Sequence, residues 1–199
     1  TLIGSSLNES FTGSGGSDVF TGGNGKDQFR NIWTNQTDVT ITDYENYEKI
    51  SFDYVSWLTN GSYNFDKVKI ENQFAIQYDQ ATNDTLISIN TDTVTKNNLV
   101  KISNGEFKLG HYHLKDNAKD LELYLKNPST SDNFDWYDVD EKTDLLKIKD
   151  FVSGKNLQFQ EGFGFSGSNF HKEISVTYDS TKDLTKIGIG TNSITKDLV

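Results

Sequence analysis

Glycine and acidic residues recur at a fixed spacing between residues 4 and 30. The nonapeptide 22–30 fits the pattern G-G-x-G-x-D-x-U-x, in which U is a large apolar residue, at every specified position. The nonapeptide 13–21 departs from the pattern only at Ser14, and the nonapeptide 4–12 carries Glu9 in place of the aspartate. Carboxylates and the carbonyl oxygens of tight turns are hard oxygen donors, so the spacing predicts a site for Ca²⁺.

Each nonapeptide is expected to form a tight turn of six residues followed by a strand of three. Glycine allows the positive φ values that such a turn needs. The apolar residue at the U position points inward and recurs as Phe11, Phe20 and Phe29. Two successive units complete one coil of a parallel β-roll, so each turn stacks on the turn two units away.

This geometry predicts which turns share a cation. Turn 4–9 should stack on turn 22–27, with Glu9 and Asp27 supplying carboxylates. Turn 13–18 has no well-formed partner downstream, and Asp38 or Asp43 could complete it. A flexible Gly/Ser linker is the alternative, but a linker does not keep Phe and Asp in register over three periods. The predicted metal-ligating residues are Gly4, Glu9, Gly13, Gly15, Asp18, Gly22, Asn24, Asp27, Asp38 and Asp43.

The three nonapeptides resemble the RTX calcium-binding repeats of proteins that Gram-negative type I secretion systems export. The resemblance implies a short parallel β-roll, Ca²⁺ as the bound ion, and the type I secretion machinery as a partner.

Composition limits the class of protein. The chain has 199 residues, a net charge of −10, no Cys, no Met and a single Pro, and 13% of its residues are aromatic. This aromatic content is too high for a disordered chain. The acidic balance argues against nucleic acid and anionic membranes as partners. No transmembrane segment and no N-terminal secretion signal are visible. Because Thr1 is not a natural start, we expect a fragment of a longer protein.

Apolar residues alternate with polar ones in short runs, which predicts a mostly β fold. Strands are expected near 38–43, 50–54 and 99–102, and residues 73–90 read as a β-hairpin. Residues 104–127 alternate like a strand, although Asp116 or Asn117 could cap a short helix.

The chain repeats itself with an offset near 100 residues: Tyr78-Asp79 is matched by Tyr178-Asp179, and Thr95-Lys96 by Thr195-Lys196. We therefore predict two modules, with a β-roll stub and β module at 1–103 and a degenerate copy without the glycine-rich turn at 104–199. The degenerate copy ends in Leu198-Val199, after an acidic residue, like an export signal.

A second resemblance extends over more of the chain. The segment 38–44, the run Glu48-Lys49-Ile50-Ser51-Phe52 and the stretches 77–85 and 98–102 look like the C-terminal domain of serralysin-type secreted proteases. This domain is a β-roll with antiparallel strands, carries the type I export signal, and also occurs on S-layer proteins and adhesins. The protease motif H-E-x-x-H is absent from the sequence.

Little in the sequence points to catalysis. His111 and His113 would project from one face of a strand as two possible ligands of a transition metal, but two exposed surface histidines are the favoured interpretation. The three Trp and nine Tyr could line a sugar-binding face, although they suit the cores of small β modules better.

The predicted function is a non-catalytic, calcium-dependent C-terminal region of a type I-secreted surface protein, of the S-layer or adhesin kind, on a Gram-negative cell. Cell-surface polysaccharide and further copies of the chain are candidate partners. The alternatives are the secretion and folding domain of a secreted hydrolase, such as a metalloprotease, and a carbohydrate-binding module.

Overall fold

The computed structural model describes residues 1–13, 15–30, 32, 36–53, 63–115, 119–129, 136–139, 143–148, 156–159, 174–181, 184–190 and 195–198. The side chains of Trp33, Trp57 and Trp136 lie outside this description, and so does the predicted role of tryptophan in a sugar-binding face. The fold is mostly β, as the sequence predicts. None of the described helices is long and apolar enough to cross a membrane.

Seventeen strands form the described part of the fold, together with a short 3-10 turn at Ile70–Asn72. In chain order they are β1 Leu2–Ile3, β2 Ser10–Thr12, β3 Gly16–Thr21, β4 Gln28–Arg30, β5 Gln36–Ile41, β6 Lys49–Phe52, β7 Phe74–Asp79, β8 Asp84–Asn90, β9 Thr95–Ile102, β10 Lys108–Lys115, β11 Asp120–Lys126, β12 Trp136–Val139, β13 Thr143–Ile148, β14 Asn156–Phe159, β15 Ile174–Asp179, β16 Leu184–Gly190 and β17 Thr195–Leu198.

Two six-stranded mixed sheets dominate the structure. One has the order β1-β3-β5-β9-β8-β7 and the other has the order β13-β10-β11-β6-β4-β2. The strands from the glycine-rich region pair in parallel with partners two units along the chain, which is the connectivity of a roll. The remaining strands extend both sheets mainly by antiparallel pairing.

The core lies between these two sheets and begins inside the roll. Phe11, Phe20 and Phe29 are at most 6% exposed, and their rings lie 5.5 to 6.1 Å apart. Ile41 and Ile50 continue the inward-facing positions and are fully buried. The strict spacing of apolar residues therefore gives the first turns a dry interior, which holds the turns at their ends in place.

Residues beyond the predicted module boundary contribute to this same core. The strand prediction for residues 104–127 is confirmed, because β10 and β11 form there. β11 pairs with β6 in antiparallel register, so strands on both sides of residue 103 share one sheet. The division into two modules stays a prediction, although the second hairpin β15–β16 does repeat the register of β7–β8.

Candidate metal site in the stacked turns

The first two turns of one edge of the roll stack as predicted. β2 pairs with β4 so that Phe11 lies opposite Phe29, eighteen residues along the chain. The backbone N–H of Asn24 donates to the carbonyl of Ser5 at 3.1 Å, and the N–H of Gln28 donates to the carbonyl of Glu9 at 3.0 Å. The turns 4–9 and 22–27 are therefore in direct backbone contact.

Two glycines show how close this contact is. A side chain at Gly4 would collide with the carbonyl oxygen of Gly22, and a side chain at Gly23 would collide with the carbonyl oxygen of Ser5. Gly23 also has a φ of +92°, which a residue with a Cβ atom reaches only with strain. The repeated glycines thus bring carbonyl oxygens of one turn against the backbone of the next.

A third turn, residues 43–48, continues the stack without any glycine. β5 pairs in parallel with β3 so that Ile41 lies opposite Phe20, and this register sets Asp43 over Gly22. The two carboxylate oxygens of Asp43 accept the N–H groups of Gly22 and Gly23, each at 2.8 Å. Asp43, suggested above as a partner of turn 13–18, thus makes its hydrogen bonds to turn 22–27, on the other edge of the roll.

Glu48 closes the third turn at the position that Glu9 and Asp27 occupy in the first two. Its carboxylate accepts the N–H of Asp27 at 3.2 Å and the N–H of Glu45 at 2.7 Å. Burial raises the pKa of Glu48 to about 7, against the lowering effect of these two N–H donors. The nonapeptide pattern does not predict this residue, because its turn lacks glycine and lies 21 rather than 18 residues from its predecessor.

Asp27 lies at the centre of the stack and is only 1% exposed. Its Oδ1 atom accepts the N–H of Glu9 at 2.7 Å. Its Oδ2 atom is buried and has no hydrogen-bond donor in the described part of the chain. A buried carboxylate oxygen without a partner is costly, since the water that it loses is not replaced.

The neighbouring turns explain why this oxygen lacks a donor. In the first turn the equivalent carboxylate, that of Glu9, receives both the hydroxyl and the N–H of Ser5. The hydroxyl of Ser5 is the main cause of the lowered pKa of Glu9. In the second turn the N–H of Gly23 takes the place of the N–H of Ser5, but it already donates to Asp43. Gly23 also has no hydroxyl, so Asp27 is left one donor short.

The opposite edge of the roll is less regular. Gly13 is buried and Gly15 has a φ of +93°, as a tight turn requires. Asp18, however, lies inside β3 rather than at the end of a turn, because that strand already begins at Gly16. Asp38 lies within β5, exposed and opposite Ser17. The role of these residues as ligands stays a prediction.

The far end of the stack is closed by β11. The hydroxyl of Tyr44 donates to the carbonyl of Glu48 at 2.6 Å and accepts the N–H of Leu125 at 2.9 Å. The N–H of Tyr47 donates to the carbonyl of Leu125 at 2.7 Å, with Tyr47 in the left-handed region at a φ of +63°. Contacts with a distant strand thus hold a turn that its own sequence does not favour.

The prediction that His111 and His113 are exposed is wrong, because they are 1% and 2% exposed. β10 lies between β11 and β13 in the sheet, and the ring of Tyr47 packs against that of His111 at a centroid distance of 5.9 Å. The ring of His111 stacks on Tyr124 at a centroid distance of 4.2 Å. Burial, and then the charge of His113, lowers the pKa of His111.

A buried ion cluster adjoins these histidines. Glu122, opposite His113 on β11, has its carboxylate 3.2 Å from the ammonium groups of both Lys49 and Lys115. Burial alone would raise the pKa of Glu122, but the two lysines hold it below its usual value. These ion pairs link the side chains of β6, β10 and β11.

Side chains alone do not form a complete metal site in the described residues, where no group of three or more His, Asp and Glu is placed to hold an ion. A cation in the stacked turns would therefore need backbone carbonyl oxygens as well, which the glycine turns supply. No protein-family model matches the sequence, and no curated protein and no solved structure shows significant similarity to it.

Proposed function

We propose that the stacked turns bind Ca²⁺ and that this binding drives the folding of the roll. The main support is the environment of the Oδ2 atom of Asp27. This carboxylate oxygen is buried between two other acidic turns and has no hydrogen-bond donor in the described part of the chain. A divalent cation beside this oxygen would offset the cost of its burial.

The chemistry of the surrounding groups favours calcium among divalent cations. Ca²⁺ takes six to eight oxygen ligands in flexible geometry, and it accepts carboxylates and backbone carbonyls together. Asp27 and Glu48 would contribute carboxylates, and the close approach of the turns brings the carbonyl oxygens of Ser5 and Gly22 to the same edge. The histidine nitrogen and cysteine thiolate ligands that zinc prefers are absent from the described turns 4–9, 22–27 and 43–48.

The same arrangement makes folding dependent on the ion. Without a cation, Glu9, Asp27, Asp43 and Glu48 bring up to four negative charges together in a chain whose net charge is already −10. Extracellular calcium modules have dissociation constants of ~10⁻⁴–10⁻³ M, so the sites would stay empty in a cytosol and fill outside the cell. Binding free energy then becomes folding free energy.

This linkage suits a protein that crosses an export channel unfolded. The resemblance to RTX repeats, the acidic composition and the lack of cysteine support a non-catalytic C-terminal region of a type I-secreted surface protein of the S-layer or adhesin kind. The cell surface of a Gram-negative bacterium is the corresponding location, and the secretion machinery the corresponding partner.

Titration of the purified chain with calcium tests the proposal. We expect saturable heat of binding in calorimetry and an increase in thermal stability, with a much weaker response to Mg²⁺, which demands near-octahedral geometry. Far-UV circular dichroism in a chelator should show loss of β structure or a lower melting temperature. Equal melting curves in calcium and in chelator would overturn the proposal.

A further inference from the structure

An uncharged, amide-rich groove lies on the outer face of the first hairpin and its neighbour β9. It has a volume of about 440 Å³, which falls within the range of small-molecule sites. None of the described residues that line it carries a charge, although 24% of the chain is charged. The polar lining residues are Asn72, Gln77, Ser88, Asn90, Thr95, Asn97 and Asn98.

The second hairpin shows that the fold does not require these amides. In β7–β8 Ala75 lies opposite Ser88, and in β15–β16 Ser175 lies opposite Gly188, so the two hairpins share one register at an offset of 100 residues. The buried position Ile89 is kept as Ile189.

Two amide positions of the groove are not kept in the second hairpin. Gln77 corresponds to Thr177, and Asn90, which lies opposite Thr95, corresponds to Gly190, which lies opposite Thr195. The same strand pairing thus forms without these two amide side chains. The amide oxygen of Asn90 accepts the hydroxyl of Thr95 at 2.8 Å, and the second hairpin pairs its strands without this hydrogen bond because residue 190 is glycine.

A β-bulge adds two of these amides to the groove. Ile87 lies opposite Val100 and Ile89 lies opposite Lys96, so three residues, 97–99, face the single residue Ser88. In the second hairpin Asp197 alone lies opposite Gly188. Bulges re-aim side chains and are frequent beside binding sites.

A lining residue of the groove, Ser88, holds the backbone of the bulge in place. The N–H of Asn98 donates to the hydroxyl of Ser88 at 2.9 Å, and Asn98 has a φ of +50°. Asparagine tolerates this left-handed conformation better than most residues. The bulge is therefore held by the hydroxyl of Ser88, and the matching residue of the second hairpin, Gly188, has no hydroxyl.

We propose that this groove binds a neutral saccharide. An amide donates and accepts at neighbouring atoms, which matches adjacent hydroxyl groups, each of which also donates and accepts. An anionic ligand would call for arginine or lysine in the lining, which the described residues lack. Ala75, which lies opposite Ser88, adds a small apolar surface to the lining. This site is independent of the proposed calcium turns and does not rely on tryptophan.

The second hairpin also supplies the variant that tests the proposal. The double substitution Gln77→Thr and Asn90→Gly installs residues that the same architecture already carries in β15–β16. Gln80→Thr is the matched control, because Gln80 is an exposed amide in the β7–β8 turn that does not line the groove. Circular dichroism and melting temperature establish that each variant is folded.

The full chain, in calcium, is applied to an array of neutral and of acidic glycans, and the best neutral glycan is then titrated by calorimetry. We expect preference for neutral glycans, an affinity loss of about tenfold or more in the groove variant, and no loss in Gln80→Thr. Heteronuclear NMR of the unmodified chain should show shifts in the side-chain amide signals of Gln77, Asn90 and Asn97 on addition of that glycan.

The inference is overturned if no neutral glycan binds to the folded chain, if acidic glycans are preferred, or if the groove variant binds with unchanged affinity. If the groove variant failed to fold, the NMR shifts would decide, and shifts confined to residues outside the groove would also overturn it. The glycan measurements test this inference even if the chain does not bind calcium, provided that the chain is folded.

Discussion

Replacement of Asp27 by asparagine is the sharpest test of the ion-linked roll. The substitution keeps the size of the side chain and an oxygen that can accept the N–H of Glu9, but it removes the buried negative charge. In the calcium-free protein this change removes an unfavourable buried charge while it weakens one charge-assisted hydrogen bond. These effects oppose each other, so the free energy of unfolding in chelator should change by less than about 1 kcal/mol.

In calcium the expected loss is larger. An ion present at about one hundred times its dissociation constant adds about 2.7 kcal/mol to the free energy of unfolding. If Asp27 is a ligand, its charge contributes much of the affinity, and the variant loses most of this gain. For a chain of 199 residues, one kcal/mol shifts the melting temperature by roughly 2–4 °C, so the expected decrease is about 5–11 °C.

The assay is thermal unfolding of both proteins in saturating calcium and in chelator. Asp92→Asn serves as the control, because the Asp92 side chain is 73% exposed and far from the turns in sequence, and its loss should leave the calcium-dependent gain unchanged. If calcium raised the melting temperature of Asp27→Asn as much as that of the original chain, the assignment of Asp27 as a ligand would be refuted.

Three further predictions concern the core and the buried ions. Burial lowers the pKa of His111 below its unfolded value of about 6.5, so the contribution of this residue to stability is complete above that pH and is lost as the pH falls below it. In urea unfolding, His111→Phe should therefore show a flatter dependence of stability on pH than the original chain does below pH ~6.5. Parallel pH curves for the two proteins would contradict this prediction. Glu122→Gln should lower the free energy of unfolding in urea by about 3 kcal/mol, because it leaves two lysines facing a neutral group. Glu106→Gln, which neutralises the exposed partner of Lys108, is the control and should cost less than about 1 kcal/mol. Equal costs for the two substitutions would contradict a stabilising role of the buried ion cluster. Phe20→Ala should cost about 3–5 kcal/mol in calcium and in chelator alike, because Phe20 is fully buried between two phenylalanines, and a loss seen only in calcium would contradict its role in the core.

The period of nine residues predicts the inward-facing strands of the roll and its first two stacked turns. Glycine and phenylalanine at a period of nine residues specify both the turn conformation and the inward-facing side chain, and these are local properties. The stacking of turn 4–9 on turn 22–27 follows from that period and is confirmed by the register of β2 and β4. The alternating segments 73–90 and 104–127 were likewise predicted correctly, because alternation reports a half-buried strand without reference to its partners.

The candidate site was predictable only in part. Asp27 and Glu9 belong to the period, but Asp43 and Glu48 enter the stack through the pairing of β5 with β3 and of β6 with β4. A turn without glycine gives no local signal. The missing donor at Asp27 is also invisible in the sequence, because it depends on Asp43 occupying the N–H of Gly23.

The mostly β fold, the first two turns of the roll and the three inward-facing phenylalanines follow from local sequence, since they depend on backbone preference and on side-chain periodicity. The third, glycine-free turn of the stack, the burial of His111 and the bulge that brings amides into the groove arise from long-range strand pairing. These features arise where strands distant in the chain meet. The contacts that fix them belong to the pairing of strands and not to any one segment.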